Sequence, residues 1–100
     1  SSRNRRLDAE TKEQAAEISR FICSLDERYP SQTPTETIRA EVYALLAKFS
    51  FKPDYFEICD HHNLRLQEKF DRSKFVNACI AYYAGEVRLI DNCPYPPSDK

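Results

Sequence analysis

The stretch Asp71-Arg72-Ser73-Lys74-Phe75-Val76-Asn77-Ala78-Cys79-Ile80-Ala81-Tyr82-Tyr83-Ala84-Gly85-Glu86-Val87-Arg88-Leu89-Ile90-Asp91 decides the fold class. Its apolar residues Phe75, Val76, Cys79, Ile80, Tyr83, Val87 and Ile90 recur every three or four positions, which predicts a helix. Asp71 is a good cap for that helix. Gly85 lies inside the pattern and costs about 1 kcal/mol of helix propensity relative to alanine, so it reads as a bend or a close helix contact.

The neighbouring segments support the same reading. Pro53 opens a segment from Asp54 to Phe70 whose stripe is Tyr55, Ile58, Cys59, His62, Leu66 and Phe70. Upstream, Thr33-Pro34-Thr35-Glu36 has the form of a capping box with proline at the first helical position. It predicts a helix to about Phe49 with Ile38, Val42, Leu45, Leu46 and Phe49 on one face. Asp8 to Arg28 carries Leu7, Thr11, Ala15, Ile18, Ile22, Leu25 and Tyr29 at helical spacing, and Pro30 stops it. Gly85 is the only glycine, so an all-β chain would lack its usual turn chemistry. The expected fold is therefore all-α: a compact four-helix domain, an antiparallel bundle or an irregular helical array. Residues 1–7 read as a flexible basic arm, 8–92 as one helical domain, and 93–100 as a proline-rich tail.

The chain has 100 residues, 41% of them hydrophobic, with six Phe and six Tyr. That supports one modest core. Lysine plus arginine is 15 and aspartate plus glutamate is 16, for a net charge of −1, which gives no broad electrostatic grip on nucleic acid. No apolar run is long enough to cross a bilayer, so membrane insertion is not expected. The chain starts Ser1-Ser2 and has no Met, so it reads as a processed product or a fragment.

Cys59, His62 and Cys79 have the residue types and helical spacing of a weak zinc site. In an up-and-down bundle the levels of Cys59 and Cys79 differ by about 6 Å. A reduced core with a satisfied histidine, a Cys59–Cys79 disulfide and a metal site all remain open. Cys23 and Cys93 fall at opposite ends of such a bundle, too far apart to pair. A Cys59–His62 nucleophile and base would lack a visible oxyanion hole. Phosphate-loop and dinucleotide motifs are absent.

Aromatic and aliphatic residues outside the main stripes, notably Tyr43, Phe56, Tyr82 and Leu89, form a candidate partner-binding surface. The sequence thus predicts a small protein–protein interaction or regulatory module with no catalysis of its own, although enzyme activity stays open. The expected partner is another protein or domain, including one within a longer chain. No cofactor is expected, with zinc through the Cys/His cluster as the alternative. Arg3, Arg5 and Arg6 leave a nucleic-acid-binding accessory domain as a further alternative. A cytoplasmic or nuclear setting is slightly favoured over secretion.

Overall fold

A computed structural model describes residues 8–97. The two amino-proximal helices form much as their spacing predicts. α1 spans Ala9–Ile22, and Asp8 caps it by accepting the Thr11 N–H at 2.8 Å. Those hydrogen bonds from Thr11 hold the Asp8 carboxyl below its usual pKa. The helix breaks at Cys23 and Ser24, and a single turn, α2, follows at Leu25–Arg28. α3 spans Thr35–Lys48, with Pro34 at its cap in an extended conformation. The expected capping box does not form. Thr33 instead joins Pro34 in a short strand, β1, and its hydroxyl donates to the Pro30 carbonyl.

The carboxy-proximal half corrects the all-α expectation. Where two helices were expected there are β2 (Lys52–Asp60), β3 (Leu66–Gln67), β4 (Lys69–Phe70), β5 (Val76–Ala84) and β6 (Val87–Tyr95). The protein is a mixed α/β structure. β3-β2-β5-β6 make a four-stranded sheet, and β1 pairs with β4 in a second, two-stranded one. Every pairing is antiparallel. The described residues therefore contain no parallel βαβ crossover of the kind that builds doubly wound nucleotide-binding sheets.

The physical reason lies in a second period within the quoted stretch. Val76, Ala78, Ile80 and Tyr82 alternate along β5 and are all buried. Period-two alternation directs one set of side chains to one sheet face. Gly85, at φ +66°, is the first residue of the two-residue β5–β6 turn. Positive φ at the first central position alone is the signature of a type II′ hairpin turn. A single glycine suffices because Gln32, Ser50 and Leu64 adopt positive φ elsewhere. Cys93, Pro94 and Tyr95, expected in a tail, end β6 instead. Pro94 is tolerated there because β6 is an edge strand.

The core lies between the helices and one face of the large sheet. Ile18, Ile22 and Leu25 meet Ile38, Val42 and Leu46 of α3, and the strands contribute Phe56, Ile58, Phe70, Val76, Ile80, Tyr82 and Tyr95. The expected arm at 1–7, with Arg3, Arg5 and Arg6, lies outside the described residues, as does 98–100. No helix among the described residues is long and apolar enough to cross a membrane.

Candidate functional site

The amino end of α3 faces the short strands β3 and β4 across a cleft of about 590 Å³. Local backbone chemistry builds it. The Thr35 N–H donates to the Glu68 carbonyl at 2.8 Å, and the Thr35 hydroxyl donates to the Gln67 carbonyl at 2.7 Å. Thr35 is the buried polar residue of the core at 2% exposure, and both of its donors are satisfied. A Thr35→Val variant keeps the shape and strands the Gln67 carbonyl. It is expected to lower stability by about 1–2 kcal/mol in urea unfolding, with an unchanged slope.

Arg39, one turn further along α3, forms the far wall. Its Nε donates to the Phe56 carbonyl at 3.0 Å, and its guanidinium meets Glu57 Oε1 at 3.0 Å. Both side chains are 30% exposed, so the pair ties α3 to β2 more through geometry than through Coulomb energy. Glu36, Glu68 and Lys69 complete the polar lining. Lys69 makes no ion pair among the described residues. Three carboxylates and two cations face one another here, with no cysteine, histidine or serine in the lining. The cleft suits recognition of a small group carrying both charges.

The residues singled out from sequence are placed differently. Phe56 is fully buried and Tyr82 is 3% exposed. Tyr82 stacks on Phe51 with ring centroids 5.2 Å apart, and burial followed by the Asp91 charge pushes its hydroxyl up to about 12. Tyr43 and Leu89 are half-buried against the same core. These four residues therefore do not share an open surface.

The zinc expectation is also corrected. Cys59 and Cys79 adjoin on β2 and β5, and burial plus the neighbouring Cys59 push the Cys79 thiol up to about 11. His62 is not with them. It lies in the turn after β2, where Asp60 accepts its N–H at 2.8 Å and that of Asn63 at 3.1 Å. These two bonds hold the Asp60 carboxyl below its usual pKa. Beside it, His61 stacks on Phe75 at 3.8 Å. No group of three or more metal-ligating side chains converges among the described residues.

Sequence reasoning missed Arg39, Lys69 and the cleft role of Thr35. Thr33-Pro34-Thr35-Glu36 did mark the start of α3, which is one wall of the cleft. Nothing in the sequence joined Arg39 to Glu57.

Comparison with known proteins overturns the reading as a non-catalytic regulatory module. Pantothenate synthetase of Bacteroides fragilis is 36% identical over 98 residues, covering 98% of this chain and 35% of the relative. That of Bacteroides thetaiotaomicron is 37% identical over 95 residues, covering 95% and 34%. That of Porphyromonas gingivalis is 36% identical over 95 residues, again covering 95% and 34%. The chain thus spans about a third of the length of the curated relatives it matches. Residues 1–94 match the model of one enzyme family, described as pantoate-beta-alanine ligase, and the chain belongs to that family.

Proposed function

We propose that this chain serves as one folded part of an enzyme that joins pantoate to beta-alanine. The family match over residues 1–94 carries the reading. Joining a carboxylic acid to an amine in water requires an activated acyl group and a site that holds both reactants in line. The antiparallel sheets offer no doubly wound phosphate site among the described residues, so activation is assigned to other parts of such an enzyme. This chain's contribution is a rigid layer and a polar cleft. The partner is the remainder of the ligase, against which Lys69, Glu36 and Glu68 meet charged substrate ends or the neighbouring domain. A cytoplasmic setting is part of the same proposal, because free thiols at all four cysteines suit a reducing compartment.

A chimera tests this reading. The matching third of the Bacteroides fragilis enzyme is replaced by this chain, and amide formation from labelled beta-alanine is followed. The expected kcat/KM lies within about tenfold of the parent. Lys69→Ala in the chimera is expected to raise KM for a carboxylate substrate about threefold or more, with kcat little changed. A chimera that folds and assembles like the parent yet forms no amide would sink the proposal.

A further inference from the structure

The four cysteines, far apart in sequence, fall into two neighbouring pairs: Cys59 with Cys79, and Cys23 with Cys93. The second pair contradicts the bundle-based expectation that Cys23 and Cys93 lie at opposite ends. The cause is the course of β6, which passes along α1. Cys23 ends α1, and its N–H donates to the Ser19 carbonyl at 3.0 Å. Cys93 precedes Tyr95 by two residues on β6, so strand alternation gives the two side chains the same face. The Tyr95 hydroxyl donates to the Ile22 carbonyl and accepts the Leu25 N–H at 3.0 Å. That clamp holds the backbone on both sides of Cys23 and Ser24 against β6. It leaves the exposed Cys23 beside the half-buried Cys93.

We propose that Cys23 and Cys93 form a modification site for low-molecular-weight disulfides, with Cys23 as the attacking thiol and Cys93 as the resolving one. The Cys23 thiolate attacks one sulfur of the small disulfide. The S–S bond breaks, a mixed disulfide forms on Cys23, and the first small thiolate leaves and takes a proton. Cys93 loses its proton to water and attacks the Cys23 sulfur, which expels the second small thiolate. Two protein thiols are oxidised to one bridge, and one small disulfide is reduced to two thiols. Burial and the adjacent Cys23 push the Cys93 thiol up to about 12, which makes the second step the slower one. Cys59 and Cys79 do not sit opposite each other: Cys59 faces Asn77 and Cys79 faces Glu57. They adjoin only diagonally, and both are half-buried, so neither presents to a small disulfide an exposed thiol like that of Cys23. The site is therefore assigned to the pair at the α1–β6 junction.

The test incubates the reduced chain with glutathione disulfide, quenches by acid, alkylates, and maps the linked peptides over time. A mixed disulfide on Cys23 is expected first, then a Cys23–Cys93 bridge. The bridged chain is expected to melt at least about 5 °C above the reduced one, because the bridge closes a long loop. Cys93→Ser is expected to stop at the mixed disulfide on Cys23. The proposal is overturned if Cys23 stays unmodified in the native chain, if a bridge forms between another pair in its place, or if the bridged chain melts below the reduced one. Because the wild-type map alone decides the pairing, a Cys93→Ser chain that fails to fold does not remove the test.

Discussion

Phe56→Ala is expected to cost about 3–5 kcal/mol in urea unfolding, about a third or more of the stability of a typical domain of this size. A 100-residue domain holds only about 5–15 kcal/mol in total. Phe56 has no exposed surface, sits opposite Ile80 on β5, and belongs to the face on which α3 packs. Its own carbonyl accepts from Arg39, so the backbone there cannot move inward to fill the void without breaking the tie to α3. Ile90, at 62% exposure on β6, is the control, and its replacement by alanine should change stability by less than about 0.5 kcal/mol. Equal losses for the two variants would refute the placement of the core on the helix side of the sheet. Phe56 looked from sequence like a partner contact, and its replacement would have weakened binding simply by unfolding the chain.

The second large effect is expected at Tyr95. Tyr95→Phe removes one oxygen and nothing else, yet two backbone groups depend on it. The Ile22 carbonyl loses its donor and the Leu25 N–H loses its acceptor, both in a buried setting. Each unsatisfied buried group costs about 1–3 kcal/mol, so a loss of about 2–6 kcal/mol is expected. Burial holds the Tyr95 hydroxyl protonated well above its ordinary range, so the loss should be the same from pH 6 to pH 9. The ring itself, edge-on to Phe70 at 5.0 Å, remains in place in the variant. A stability unchanged within about 0.5 kcal/mol would show that water replaces the hydroxyl and that the α1–β6 junction is open.

Helix and strand were unequally legible in the sequence. α1 and α3 follow from spacing because their outer faces are polar, so only one period fits. β5 misleads because both of its faces carry apolar side chains. Val76, Ala78, Ile80 and Tyr82 face the core, while Cys79, Ala81 and Tyr83 face the other way. With apolar residues at nearly every position, a helical stripe can be drawn through the segment as easily as an alternating one. Length and β-branched or aromatic enrichment are what separate the two periods in such a segment. Gly85 is a blemish within a helix, but between Ala84 and Val87 it opens the two-residue turn that makes the hairpin. Pro94 carried no objection once β6 was an edge strand. The Arg39–Glu57 tie and the Cys23–Cys93 neighbourhood were beyond reach, since both depend on how the strands are ordered and not on any local pattern.

The strand order β3-β2-β5-β6 has a consequence for synthesis. Both long helices precede every long strand in the chain, and β6, which lies along α1, comes last. As the polypeptide leaves the ribosome, Ile18, Ile22, Ile38, Val42 and Leu46 emerge with no sheet to cover them. The α3 residues wait for β2 and β5 to supply Phe56, Ile58, Val76 and Ile80, and Ile22 waits for Tyr95 at the end of β6. Within this part of the polypeptide the apolar helix faces are therefore made before the strands that cover them, a condition in which a growing chain depends on chaperones.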